Sequence, residues 1–310
     1  MTFSAQDVAK LRGQTGAGIM ECKNALKEAN GNFERAGEIL RQKGLTAASK
    51  KAEKTALEGI VTSKIAADKK SGLIIEINTQ TDFAARNDSF LDLTRRVTDI
   101  TLNSKPKNLD ELLKLKINNS TISEFISDKI AKIGENIQIR RFELFELKDT
   151  SGIIGTYIHP VGYKIGVLVK LITSSSKPAC IEELEKLAKD VSMHIAASQP
   201  QPEYIDKSEI PNELIESERR IELGKEDLAK KPQDIAQKIV QGRLDKILSQ
   251  RCLLDQPYIK DQSITIEKFI INKSKELNTE IKVGQFVRYN VGETIEKTSL
   301  EENKQKVISK

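Results

Sequence analysis

The chain has 310 residues, 38% of them hydrophobic and 31% charged, with a net charge of +5 spread over 50 basic and 45 acidic side chains. This composition describes a globular protein of one large or several smaller domains, and the diluted charge excludes the concentrated basic face of a DNA-binding protein. Three cysteines (Cys22, Cys180, Cys252), two histidines (His159, His194) and no tryptophan leave little material for a disulfide framework, a metal cluster or a base-stacking platform.

No run approaches the ~18 apolar residues of a membrane span. The N-terminus lacks a basic-then-apolar leader pattern and carries Asp7 where a transit peptide avoids acid, so the expected location is the cytoplasm, with no membrane partner. The first segment, residues 1–45, predicts three short helices. Ser4 caps the first, with Asp7 near its positive end and Val8 and Leu11 on its inner face. Gly13, Gly16 and Gly18 are expected to break it before a second helix carrying Met20, Ala25, Leu26 and Ala29. Asn30-Gly31 is a turn, and Asn32 caps a third helix that is expected to stop at Gly44. A basic, Ala-rich linker over 46–58 follows, including Lys50, Lys51 and Lys54.

The middle of the chain contains a duplication. Strands beginning at Gly59-Ile60-Val61 and Gly72-Leu73-Ile74-Ile75 are matched by strands beginning at Gly152-Ile153-Ile154 and Gly166-Val167-Leu168-Val169. Short loops make each pair an antiparallel hairpin, and each is followed by an amphipathic helix, Phe90 to Leu102 in one copy and Ile181 to Ala197 in the other. A ββα unit cannot bury its sheet alone, so each helix is expected to cover its own sheet. Ile122, Phe125, Ile126, Ile130 and Ile133 have helical spacing, and a strand from Ile137 to Leu147 closes the first half.

Beyond Pro200 and Pro202 the pattern narrows. Leu214, Ile221 and Leu228 form one stripe, Pro232 interrupts, and Ile235, Ile239, Leu244 and Ile247 form another. Two narrow stripes with a break predict a helical hairpin that seals one seam and projects from the body. After Pro257 come a helix with Ile266, Phe269, Ile270 and Leu277, a strand from Ile281 to Val291, and a polar tail. The fold class is therefore α+β. Its expected units are 1–45, the linker 46–58, a first core subdomain 59–147, a second made of 148–200 with 255–296, an inserted hairpin 201–254 and a tail 297–310.

The enzymatic motifs fail one by one. Gly13-x-x-Gly16-x-Gly18 follows a helix rather than a strand and has Glu21 where a dinucleotide loop needs its third glycine, so no direct nucleotide binding is expected. Gly224-Lys225 is followed by Glu226, unlike a phosphate-cradling loop. Cys22 reads as a small buried apolar residue and His194 as a satisfied structural histidine, while His159, before Pro160, is either a surface contact or a turn residue. No catalytic residue, metal site or cofactor is expected.

One segment stands apart: Asn78-Thr79-Gln80-Thr81-Asp82-Phe83-Ala84-Ala85-Arg86-Asn87-Asp88, which leaves a buried strand and enters a helix capped by Asn87 or Asp88. Asp82-Phe83 then falls in the connecting loop. On the residues alone Phe83 either folds back into the core or projects as an aromatic wedge into a partner's pocket.

Here the chain resembles the elongation factor Ts family, the exchange factors of elongation factor Tu. The resemblance is carried by Leu11-Arg12-x-x-Thr15-Gly16-Ala17-Gly18-x-Met20-x-Cys22-Lys23-x-Ala25-Leu26, by Gln80-Thr81-Asp82-Phe83, and by Lys132-Ile133-Gly134-Glu135-Asn136-Ile137 with Arg140-Arg141. Tyr157-x-His159 with Lys164-Ile165-Gly166-Val167-Leu168-Val169, Met193-His194-Ile195-Ala196-Ala197, and Leu254-x-Gln256-Pro257 continue it in order. It implies a ubiquitin-associated-like helical module, a duplicated core, a protruding coiled coil and a C-terminal segment.

It also implies that Thr81, Asp82, Phe83 and Ala84 press near the magnesium and phosphate site of the GTPase to promote GDP release. Arg12, Met20 and Lys23 are expected to touch the same GTPase, and His159 another of its domains. Homodimerisation stays open, and a ribosome- or RNA-associated role is the alternative that the pI of 8.8 suggests. Ala84 stands where valine is common in the family, which would weaken the wedge contacts slightly.

Overall fold

The computed structural model describes residues 3–15, 17–51, 54–174, 181–228 and 231–293. Gly16, Cys180 and the tail 297–310 singled out above lie outside them.

The N-terminal helices are α1 (Ala5–Thr15), α2 (Ile19–Glu28) and α3 (Phe33–Lys51). Ser4 and Asp7 cap α1 reciprocally: the Asp7 N–H donates to Ser4 Oγ at 3.2 Å and the Ser4 N–H to Asp7 Oδ2 at 2.7 Å. Those donors from Ser4 hold the Asp7 carboxyl below its usual range. Val8, Leu11, Cys22, Ala25, Leu26, Ala36 and Ile39 form one small core. The first break falls between Thr15 and Ile19, within the expected glycine segment, but the expected stop at Gly44 is absent. α1 runs through Gly13, and α3 continues past Gly44 into the segment read as linker. A lone glycine lowers helix propensity by about 1 kcal/mol, which tertiary packing readily overrides.

The first half of the core is β1 (Glu58–Ile65), β2 (Ser71–Thr79), α4 (Asp82–Ala85), α5 (Asp88–Ser104), α6 (Leu109–Lys114), a two-strand pair β3 (Lys116–Ile117) and β4 (Ser120–Thr121), α7 (Ile122–Ile133) and β5 (Ile137–Glu146). The second is β6 (Ser151–Ile158), β7 (Ile165–Thr173), α8 (Ile181–Ala197), α9 (Asn212–Leu223), α10 (Gln233–Arg251), the pair β8 (Pro257–Tyr258) and β9 (Asp261–Thr265), α11 (Ile266–Glu276) and β10 (Ile281–Asn290). α3 packs along α7, with Gly44 facing Ala131.

Each half folds as a three-stranded antiparallel sheet, ordered β1-β2-β5 and β10-β7-β6. The sheets pack face to face through Val61, Ile74 and Phe145 from one and Ile154, Leu168 and Tyr289 from the other. Helices cover the outer faces: α5 and α7 lie over Ile75 and Ile77, and α8 and α11 over Val167, Val169 and Leu171. β2 is buried along its whole length because one face meets helices and the other the opposing sheet.

The duplication is visible atom by atom. A Cβ on Gly72 would strike Ile154 and Leu168 of the second sheet, and one on Gly166 would strike Val61 and Ile74 of the first. These are equivalent positions, so the sheets cross at a reciprocal contact that requires close approach. Phe90, Leu93, Val97 and Leu102 on α5 recur as Leu184, Leu187, Val191 and Ala196 on α8, at one constant separation in sequence. Both third strands bulge at the same place: Arg140 is the extra residue between those facing Glu76 and Ile77, and Gly284 the extra residue between those facing Lys170 and Leu171.

The Arg140 bulge turns two successive arginines onto one buried carboxylate. Glu76 is 0% exposed and accepts from Arg140 Nη1 at 3.0 Å and Arg141 Nε at 2.6 Å, while the Gly292 N–H reaches it at 2.9 Å. The same knot draws in the end of the chain, because Arg140 also donates to the Glu293 carbonyl and Arg141 lies over the Tyr289 ring.

In the hairpin, α9 and α10 pack on each other through part of the expected stripes, with Leu214, Leu228, Ile239 and Leu244 among the packed residues. Ala236, Val240, Leu244 and Leu248 face inward, whereas Ile235 and Ile221 are exposed. α9 ends at Leu223, which breaks the register between Leu214 and Leu228, and Glu222 instead occupies the seam, ion-paired with Lys225 and Arg243. The α+β class, the duplicated core and the inserted hairpin agree with the sequence reading.

Candidate functional site

The segment after β2 forms a single helical turn rather than a loop. α4 spans four residues, too few to be stable alone. Two devices hold it. Thr81 is its N-cap, with Oγ1 accepting the Ala84 N–H at 3.2 Å, and Ala84 and Ala85 are buried against the first sheet and its helices. Asn87 then caps α5, its Oδ1 accepting the Ser89 N–H at 2.8 Å.

Between these anchors Phe83 points outward and is 81% exposed. Phe90 and Phe145 are fully buried, so this phenyl is no part of the core. Asp82 lies beside it, with its Oδ2 3.3 Å from Arg86 Nη2. Ala84 faces the protein's own interior. Its small side chain therefore bears on how the turn seats rather than on an outer contact.

A carboxylate that sequence reading passed over grips the turn. Glu135 lies just after α7, which Gly134 ends in a left-handed conformation. Glu135 Oε2 accepts from Thr79 Oγ1 at 3.2 Å and from the Thr81 N–H at 3.0 Å, and Oε1 accepts from Thr81 Oγ1 at 2.8 Å. The adjacent Asn136 is buried, and its Nδ2 donates to the Lys54 carbonyl at 2.8 Å. One turn thus fastens both the Phe83 segment and the chain arriving from the N-terminal helices. Its one sequence signal was the Gly134-Glu135-Asn136 motif, which says nothing about where Glu135 reaches.

Arg12, Met20 and Lys23 are all exposed on the N-terminal helices. Met20 is 60% exposed beside Ile19 at 54%, on the face of α2 opposite Cys22, Ala25 and Leu26. The helical period accounts for this. Positions 22, 25, 26 and 29 point in and 19, 20 and 23 point out, so Met20 is not one of the inner residues. The Glu21 carboxylate accepts the Gly18 N–H at 3.0 Å, so Glu21 serves the helix start.

His159 is half-buried at the end of β6, its Nδ1 3.0 Å from the Tyr157 hydroxyl. The tip beyond it carries Val161 at 74% and Tyr163 at 52% exposure, two outward residues that sequence reading missed. Both sit in a turn where Gly162 and Tyr163 have positive φ, a conformation uncommon for a non-glycine residue such as Tyr163. The Tyr163 carbonyl accepts the Val61 N–H at 2.8 Å and ties the tip to β1. The exposed groups therefore sit on separate elements: α4, the N-terminal helices and the β6–β7 turn.

Among the described residues no group of three or more His, Cys, Asp or Glu side chains could hold a metal ion. Cys22 and Cys252 are buried, and burial pushes the Cys252 thiol up to about 11. His194 is 1% exposed and held in one tautomer. The Ile259 N–H donates to its Nδ1 at 3.3 Å, so Nε2 carries the proton toward Gln256 Oε1 at 3.0 Å. Gln256 Nε2 in turn donates to the Pro200 and Gln250 carbonyls, which closes the base of the hairpin. No helix among the described residues is long and apolar enough to cross a membrane.

Comparison with known proteins agrees with this architecture. A family model described as Elongation factor TS matches residues 80–293. A protein named Elongation factor Ts from a Nostoc species is 44% identical over 298 residues, covering 95% of this chain and 94% of its own length. Proteins of the same name from Clostridium perfringens and Syntrophotalea carbinolica are 42% and 40% identical, over 99% and 96% of this chain and 98% and 96% of their own.

Proposed function

This chain belongs to the elongation factor Ts family of translation elongation factors, and we propose that it binds elongation factor Tu in its GDP form and drives GDP out by inserting Phe83 near the magnesium and phosphate site. The observation that carries this reading is the 81% exposed phenyl on a one-turn helix that Thr81 caps and Glu135 braces. Leaving an aromatic ring in water forgoes about 1.5–3 kcal/mol of burial, an energy that a fitting pocket on a partner recovers.

The activity is a coupling between two binding events. If the factor weakens GDP by some ratio, GDP weakens the factor by the same ratio. A factor that bound loaded and empty GTPase equally would shift nothing, however tightly it held. Phe83 must therefore gain more from the empty partner. One ring supplies roughly one to two powers of ten. The rest comes from moving phosphate-loop dipoles and magnesium ligands, because magnesium tolerates departures from octahedral geometry poorly. Asp82, next to Phe83, adds a carboxylate that competes for the same donors. No bond in the nucleotide is broken, and GTP then binds the vacated site by mass action.

Docking uses the other exposed groups: Arg12, Met20 and Lys23 on the N-terminal helices, and His159 with Val161 and Tyr163 at the core hairpin. The test is stopped-flow release of fluorescent GDP from elongation factor Tu. Phe83→Ala lowers the maximal release rate by about tenfold or more while complex formation persists. Wild-type rates would refute the wedge. Met20→Asp raises the half-saturating concentration by about tenfold and leaves the maximal rate unchanged, and an unmoved half-saturation would remove α2 from the docking surface.

A further inference from the structure

We propose that Glu135 is a positioning residue for nucleotide release, setting the direction in which Phe83 is presented without itself touching the partner's nucleotide site. This rests on Phe83 acting as the wedge. The argument begins with hydrogen-bond arithmetic. A threonine hydroxyl has one proton to donate. Thr81 commits that proton to Glu135 Oε1 at 2.8 Å, which turns an oxygen lone pair toward the Ala84 N–H at 3.2 Å. The cap of α4 is therefore oriented by the carboxylate. The second oxygen of Glu135 takes the Thr81 N–H and the Thr79 hydroxyl, so both sides of Gln80 are fixed to one rigid point. Charge-assisted bonds of this kind are roughly twice as strong as neutral ones, and the half-buried setting shields them.

The duplication supplies a control within the same molecule. Thr79 ends β2 opposite Ile137, and Thr173 ends β7 opposite Ile281. Counting back from those partners, the position matching Glu135 is Thr279, whose hydroxyl lies 3.3 Å from Ser174 Oγ. At the constant separation that relates the halves, Phe83 corresponds in sequence to Lys177. The fold closes the same corner with neutral hydroxyls in the half whose sequence has no aromatic at the position matching Phe83. The carboxylate accompanies the wedge rather than the architecture.

Three measurements test this on the full chain. In stopped-flow GDP release from elongation factor Tu, Glu135→Ala lowers the maximal rate by about tenfold and moves the half-saturating concentration by less than about twofold. Glu135→Gln, which keeps one acceptor and the shape, falls between Ala and wild type. In the Phe83→Ala background, Glu135→Ala slows release no further, because its effect runs through the ring. Amide hydrogen exchange on the factor alone reads the same cause: Thr81 and Ala84 lose protection in Glu135→Ala while α5 and β2 keep theirs.

A full-rate Glu135→Ala beside a slow Phe83→Ala overturns the positioning role and leaves the wedge standing. Equal slowing by Glu135→Ala with and without Phe83 also overturns it, as does protection lost across the whole first sheet, which marks a merely structural residue. A full-rate Phe83→Ala removes the wedge and this inference with it.

Discussion

In the first half of the core, the strand ending at Thr79 leads into a braced helical turn that holds Phe83 out of the protein. In the second half, the strand ending at Thr173 meets the same partner position on its third strand, but the elaboration lies elsewhere: a long helical hairpin stands where the first half has only α6. Both halves close with a small two-strand pair, a threonine-capped helix and a bulged strand. The difference teaches that the shared frame of sheets and covering helices is insulated from its connections. Either connection can grow without disturbing the reciprocal packing of Gly72 and Gly166.

The sharpest test of that equivalence lies at two other glycines. Gly59 and Gly152 occupy matching places in β1 and β6, with φ of +142° and +146°. A Cβ would lie 2.2 Å from the Ile77 carbonyl oxygen at the first and 1.9 Å from the Leu171 carbonyl oxygen at the second. Gly59→Ala and Gly152→Ala should each destabilise by roughly 4–5 kcal/mol, from strain plus a backbone clash. Urea unfolding of both variants checks this, and a large loss at one position only would break the proposed symmetry.

The next effect separates the halves. Glu76→Ala strands Arg140 and Arg141 in a partly buried site and should cost roughly 3–4 kcal/mol. Lys170, at the matching position in β7, is half-buried beside a bulge that Gly284 makes without charge. Lys170→Ala should cost less than about 1 kcal/mol by the same measurement. Comparable losses would mean that the ion knot is not what distinguishes the first sheet.

The duplication was legible because paired glycines and the helical period of Phe90 to Leu102 and Ile181 to Ala197 recur in the chain. The sheet-on-sheet packing was not, because the uniform burial of β2 leaves no alternation to separate its two faces. Phe83 was set apart by its neighbours, yet the turn that carries it is hydrogen-bonded to Glu135, which arrives from a distant strand boundary that no local pattern links to Thr81. The hairpin was legible as a hairpin, but its seam only in part: Leu214, Leu228, Ile239 and Leu244 pack there, whereas Ile221 and Ile235 are exposed. α10 carries apolar residues on more than one face, and the buried Glu222 contradicts the rule that seams are apolar. α3 ran past Gly44 because packing along α7 outweighs one glycine.

The smallest expected effect concerns the connection that the first half lacks. The base of the helical hairpin is closed by Gln256, which His194 orients. Burial holds the His194 imidazole below its ordinary pKa of 6.5, against the opposing pull of the Gln256 hydrogen bond. The folded state therefore binds this proton less readily than the unfolded chain does. Its contribution to stability is complete above the unfolded value and declines as the pH falls through and below it. Wild type should lose a few degrees more in Tm than His194→Gln between about pH 7.5 and about pH 5.5, with carboxylate effects common to both. Parallel pH profiles would show that the imidazole is not strained by its burial. The hairpin would then owe its anchorage to Gln256 alone, whose amide has no proton to gain in this range.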